Sequence, residues 1–250
     1  MDWGRAKNVL ILTFLLLNIL LGYQLWGDIR EQLNANKNTA ELPPETLTIM
    51  KQKRIELDAT LPLDTPKLRD LTYQLQNGGS DRQDTVQLKM PVDSRIIFTE
   101  KDLLNQLGGQ IPDLAQYRFD LLMSTDQVFV LYKMVDNHPM FDVRLELYYS
   151  NQKITAYKQM RVEVLGSGEA KEQTVLPASK AVAPFIERNL PNGSIIRDIQ
   201  LGYHGQTFDT DTQVSAPYWR VVLEDGLVYY IHAISGEVAQ DKEHAAEKSS

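Results

Sequence analysis

Between Lys7 and Asp28 the chain carries no charged residue, and residues 8–27 are dominated by Leu, Ile, Val and Phe. A helix rising about 1.5 Å per residue covers roughly 30 Å over such a run, the thickness of a bilayer core. The residues that follow the most apolar part, Gly22 to Gly27, include Tyr23, Gln24, Leu25 and Trp26. These are too bulky for a small-x-small signal cleavage site, so residues 8–27 read as an uncleaved transmembrane helix. Arg5 and Lys7 precede the run, whereas Asp28, Arg30 and Glu31 follow it. Positive flanks stay inside, which predicts a cytoplasmic segment at 1–7 and an extracytoplasmic remainder. Within the run, Asn8, Ile11, Leu15, Asn18, Gly22 and Leu25 recur at heptad spacing and share one helix face. An amide in hydrocarbon favours a polar partner, and interhelical bonds of this kind are worth about 0.6–2 kcal/mol. That face is therefore a candidate contact for a second transmembrane helix. The plainer alternative is a single-pass anchor that tolerates one Asn.

Beyond the span the periodicity changes. Residues 28–44 are polar and Asn-containing, a juxtamembrane stalk that Pro43-Pro44 terminates. Residues 45–52 fit a short helix and 53–58 alternate like a strand, whereas 59–97 show no clear period apart from a turn at Gly78-Gly79-Ser80-Asp81. From Thr99 the pattern sharpens. Thr99 and Asp102 resemble a capping box, Leu103, Leu104 and Leu107 share a helix face, and Gly108-Gly109 end it. Strand alternation follows around 117–124 and 143–149, residues 127–135 between them are apolar on both faces and fit a central strand, and after a turn at Asn151-Gln152 the alternation returns over 153–164. Residues 165–174 read as a linker, and then the pattern repeats. A helix at 179–190 contains an awkward Pro184, and strands follow at 194–203, 217–224 and 227–234. Glu224-Asp225-Gly226 joins the last two. The expected fold is α+β: one transmembrane helix, then two helix-plus-antiparallel-sheet units at 45–168 and 169–238, and a charged tail at 239–250. On the 217–234 strands, Trp219 and Tyr229 fall on apolar faces and are expected to pack rather than to bind a ligand.

Composition narrows the function. The chain has 250 residues, is 43% hydrophobic and 24% charged, and folds without staples by that measure. It has no cysteine, which excludes disulfides, a Cys-zinc site, an iron–sulfur cluster, a thiol nucleophile and a lipoprotein cysteine anchor. A net charge of -7 argues against a nucleic-acid partner. An exported acidic chain without cysteine fits the surface of a Gram-positive bacterium. His138, His204, His232 and His244 have no metal-binding spacing. Asp209-Thr210-Asp211 lacks the glycine and the terminal Glu of a calcium loop, and Asn192-Gly193-Ser194 reads as a turn. No nucleophile elbow or phosphate loop occurs. The expectation is a protein without catalytic, cofactor or metal residues.

Two stretches carry a resemblance. One runs from Phe129-Val130-Leu131-Tyr132 through Asn137-His138-Pro139-Met140-Phe141 to Lys153-Ile154-Thr155-Ala156-Tyr157. The other runs from Ala216-Pro217-Tyr218-Trp219-Arg220-Val221-Val222 to Ser235-Gly236-Glu237-Val238. Both resemble the strand–turn–strand repeats of PepSY-like extracytoplasmic domains. Met1-Asp2-Trp3-Gly4-Arg5-Ala6-Lys7, leading straight into the apolar run, resembles the start of the YycI (WalI) family. The family resemblance implies a membrane-bound accessory regulator of the WalK/WalR (YycG/YycF) two-component system, which governs cell-wall metabolism. It implies a sensor histidine kinase and a YycH-like protein as partners, and an exported part similar to YycH. It leaves the sign of regulation open. A PepSY-like protease inhibitor or folding helper is the competing reading, and a wall-active hydrolase is disfavoured by the missing acid–base or metal motif.

Overall fold

The computed structural model describes residues 13–15, 17–18, 42–76, 84–93, 100–166, 171–205 and 210–239. Residues 13–15 and 17–18 are helical. Most of the 8–27 run lies outside the described residues, as do the stalk at 28–41, the turn at 78–81, the capping Thr99 and residues 240–250. Among the described residues no helix is long and apolar enough to cross a membrane.

The described body of the chain enters its core at Leu42, which is buried. Helix α1 (Pro44–Lys53) begins with Pro44 in the first turn, where a missing N–H costs nothing, and stops at Arg54 in the left-handed region. It packs against α3 (Ala178–Arg188). Thr46, fully buried, donates its hydroxyl to the Glu187 carboxylate at 2.6 Å. Lys53 Nζ donates to the carbonyls of Glu187 and Leu190, which caps the C-terminus of α3. Pro184 lies inside α3 on its exposed side, and the helix continues past it to Arg188. The opposite side, with Val182, Phe185 and Ile186, is buried. A third helix, α2 (Glu100–Leu107), lies between them in the chain.

These helices cover a large sheet. Its main path runs β14 (Val238–Ala239), β13 (Val228–His232), β12 (Thr212–Leu223), β11 (Ile195–His204), β7 (His138–Ser150), β6 (Val128–Val135), β5 (Tyr117–Asp120). On one face, α3 buries Ile199, Trp219, Val221 and Ile231. Further along, α2 and a 3-10 turn (Leu114–Gln116) bury Leu131, Leu145 and Leu147. The hairpins are tight. Asn151 and Gln152 both have positive φ, as do Asp136 and Asn137, the conformation a two-residue hairpin needs.

The mixed α+β class holds, but the structure departs from two side-by-side units. Strands from both expected units are interleaved. β1 (Glu56–Leu57) pairs parallel with β11, and β3 (Leu71–Leu75) pairs with Thr212–Ser215 of β12. β3 also pairs with β9 (Val162–Gly166), which continues from β8 (Lys153–Gln159), the antiparallel neighbour of β7. The pairings β7–β8, β9–β3, β3–β12, β12–β11 and β11–β7 thus close a circuit around a separate apolar plug that includes Tyr73, Met140, Val143 and Tyr203. The poorly patterned 59–97 stretch holds β2 (Lys67–Leu68), β3 and β4 (Val86–Asp93). β2 pairs with β10 (Gln173–Thr174), inside the segment expected to be a linker.

Candidate functional site

The two parts of the sheet meet at a narrow seam. β7 and β11 run parallel there with a single register pair, Tyr203 and Met140. An irregularity in β7 creates the seam's chemistry. Tyr132 pairs with Arg144 and the next residue, Lys133, pairs with Met140, so Phe141, Asp142 and Val143 are left without partners in β6. Phe141 turns inward over β11, where Gly202 makes room for it. A Cβ on Gly202 would stand 2.5 Å from the Pro139 carbonyl oxygen and 2.6 Å from the Phe141 ring.

Asp142 takes over the role of the missing ladder. Its Oδ1 lies 2.6 Å from His204 Nδ1, and its Oδ2 accepts the backbone N–H of Gly205 at 2.8 Å. The Ser215 hydroxyl donates to the same oxygen over a longer 3.4 Å. The imidazole of His204 stacks on Tyr230 at 3.8 Å between centroids and meets Tyr218 edge-on. Tyr73 is pushed up to about 12 by burial, with the Asp142 charge adding to the effect. Ser, His and Asp are the residue types of an acyl-transfer triad, but their order is wrong for one. The carboxylate stands between serine and imidazole, so the Ser215 hydroxyl faces Asp142 and not the ring. The cluster fastens β7 to β11 and β12.

Beside it lies a buried cation. Arg220 is 1% exposed, on the face of β12 opposite Trp219 and Val221. Its Nη1 meets Asp120 Oδ2 at 2.7 Å, and its Nη2 meets Asp198 Oδ2 at 3.2 Å and Gln200 Oε1 at 2.9 Å. The guanidinium lies 4.6 Å from the Phe141 ring centroid and 5.5 Å from that of Tyr132. Burial opposes the charge on Arg220, but Asp120, Tyr132 and Asp198 hold it protonated. Asp198 is raised by burial, with Arg220 pulling the other way. Asp120 does a second job: its Oδ1 accepts the backbone N–H of Leu122 and Met123, fixing the loop after β5. The sheet therefore curls until its end strand, β5, is clasped to β12.

Sequence reasoning gave none of these residues a role in a site: His204 was weighed only as a metal ligand, and Phe141, Tyr218 and Arg220 entered only within the two resembling stretches. The one available signal was Arg220 itself, a charge inside a run of large apolar side chains from Tyr218 to Leu223. Trp219 is fully buried, and its indole N–H donates to the Leu176 carbonyl at 3.0 Å. Tyr229 packs on Phe185 at 4.8 Å between centroids. Both sit where the strand period placed them. His232 fixes a turn, its Nδ1 accepting the backbone N–H of Ser235 at 3.1 Å and that of Ile234 at 3.3 Å. Of the transmembrane candidates, Leu15 and Asn18 are described, one turn apart on an exposed helical segment. Asn18 Nδ2 donates to the Phe14 carbonyl of its own helix at 2.9 Å. Asn8, Ile11, Gly22 and Leu25 lie outside the described residues.

A search of curated proteins gave no match. Among solved structures, an uncharacterized protein from Eubacterium rectale is similar at 13% identity and a TM-score of 0.33 over 53% of this chain. The chain spans about half the length of that protein, 46%. A family model described as YycI protein matches residues 31–234, from the stalk past β13. That match covers most of the sequence, and the chain belongs to the YycI family.

Proposed function

We propose that this protein is a membrane-anchored, extracytoplasmic regulator that binds and modulates the sensor histidine kinase of the YycG/WalK two-component system, acting with a YycH-like partner and without catalysis of its own. The observation that carries the reading is the YycI family match over residues 31–234, which ties the chain to regulation of that system. Two features agree with a binding role. The half-buried Asp142 and the buried His204 and Arg220 are engaged in internal pairings that join strands, an arrangement suited to a stiff body. In the apolar run, the Phe14 carbonyl takes one amide hydrogen of Asn18. The amide's oxygen and second hydrogen are the groups that a neighbouring helix would engage, because lipid offers none.

The test is co-purification of the kinase with the intact chain from membranes. The reading expects kinase recovery with the native chain and its loss when residues 8–27 are exchanged for an unrelated span of equal hydrophobicity. Asn18→Leu with Gly22→Leu is expected to weaken recovery about 3- to 30-fold at equal membrane level, the equivalent of one interhelical amide bond. Full recovery after the span exchange would instead place recognition in the exported body, as an inhibitor or folding helper would have it.

A further inference from the structure

The first part of the described body is fastened to elements that lie far from it in sequence. Residues 42–58 follow the polar 28–41 stretch directly, and they dock on α3, the turn after it and the start of β11. The catch is polar and gathers on two residues. Thr46 donates its hydroxyl to the Glu187 carboxylate at 2.6 Å, and Lys53 Nζ donates to the Glu187 carbonyl at 2.8 Å and to the Leu190 carbonyl at 3.2 Å. Backbone bonds carry the docking onward. Gly193 N–H donates to the Lys53 carbonyl at 2.8 Å, Glu56 N–H to the Ser194 carbonyl at 3.0 Å, and Asp58 N–H to the Ile196 carbonyl at 2.9 Å. At the surface Arg197 pairs with both Asp58 and Glu224.

Topology and burial both make this segment separable. The circuit of β7, β8, β9, β3, β12 and β11 does not include β1, which is two residues long and pairs with β11 alone. Releasing residues 42–58 therefore breaks no pairing of the circuit. Of the ten residues in α1 only Thr46 and Met50 are buried, against six of the eleven in α3. Leu42, Ile55 and Leu57 are the other buried apolar side chains of the segment. A helix that covers so little apolar surface depends on its polar contacts, and those groups regain hydrogen bonds from water once exposed. Elements of this kind open at free energies below that of global unfolding.

We propose that residues 42–58 form a releasable strap, with Thr46 and Lys53 against Glu187 and Leu190 as its catch, which opens as a unit while the circuit of strands stays paired. The closed form dominates, and opening is an excursion of the native state. Its consequence rests on the reading of residues 8–27 as a membrane anchor: release adds up to roughly 55 Å of chain between membrane and body, so the strap sets how far the body can reach.

The experiment is hydrogen exchange of the full chain in maltoside detergent, read at single amides by mass spectrometry with fragmentation. Glu56, Asp58 and Gly193 report undocking, because their N–H groups bond across the junction between strap and body. The amides from Tyr218 to Val222 in β12, flanked by β11 and β13, report the circuit. The three undocking reporters are expected to share one protection factor, at least tenfold below that of β12, with a weaker dependence on urea. Thr46→Val takes a hydrogen bond from a carboxylate and should lower reporter protection about tenfold or more, and Lys53→Met should act in the same direction. Gly202→Ala, which strains the seam in the closed and the open form alike, should lower β12 protection about fivefold or more and leave the reporters unchanged. Val143→Ala, in the apolar plug, serves the same purpose if Gly202→Ala does not fold. Reporters as protected as β12, a seam or plug variant that lowers both sets equally, or reporters unmoved by both Thr46→Val and Lys53→Met would overturn the proposal. No kinase takes part in these readings, so they stand or fall separately from the co-purification test.

Discussion

At the scale of single residues, the seam tolerates little change. Gly202 is needed for proximity rather than for backbone freedom. A methyl group there meets the Pro139 backbone oxygen, which cannot swing aside as a side chain could. Gly202→Ala is expected to cost about 1–3 kcal/mol, measured by denaturant unfolding; a neutral result would mean that β7 and β11 can separate freely. The carboxylates around Arg220 divide by role. Asp120 is the near ion-pair partner and also holds the following loop, so Asp120→Asn should cost about 3–5 kcal/mol by stranding a buried charge. Asp198 is half-exposed and raised above its usual 3.8 by burial. The folded state therefore keeps a proton that the unfolded chain has already lost. The wild type loses stability as pH rises from about 3.8 through the raised folded value. Asp198→Asn should flatten that part of the curve and be better tolerated at neutral pH than Asp120→Asn. Paired urea titrations between pH 3 and 7 would check both the slope and the ranking.

At the scale of elements, what the sequence made readable was local. The face of α3 and the alternation of β12 and β13 follow from period and turn chemistry, which act between residues a few positions apart. Hence Trp219 was placed correctly on the core face. Trp219→Ala should lower stability by about 3–5 kcal/mol, seen as a large drop in unfolding midpoint, because the ring is fully buried and its N–H leaves the Leu176 carbonyl unpaired. What remained hidden was non-local. β1 and β2 are two residues each, too short to show any period, and exist because Ile195, Ile196, Gln173 and Thr174 lie alongside. β3 alternates modestly and owes its place to partners in β9 and β12. The seam was hidden for the same reason. Nothing in the run from Met140 to Arg144 announces a break in pairing, and Asp142 gains meaning only when His204 and Gly205 arrive beside it.

At the scale of the molecule, interleaving makes a stability claim. If β3 draws its partners from β9 and β12, and α1 leans on α3, then residues 42–166 lack much of what holds them. A fragment ending at residue 166 should show no cooperative thermal transition, whereas residues 42–239 together should unfold in one step. Two separate transitions in the intact chain, or a stable fragment, would restore the picture of two independent units. The same rigidity matters for the proposed role. A body clasped at Asp142–His204 and Asp120–Arg220 can transmit force or position to a membrane partner in a way that loosely tethered units could not. The most direct test is reconstitution of the sensor kinase in proteoliposomes with and without this protein, following kinase autophosphorylation. The account predicts a change in rate, in either direction, that disappears when residues 8–27 are exchanged for an unrelated span. A rate that stays the same with the native chain present at equal or greater abundance than the kinase would contradict it.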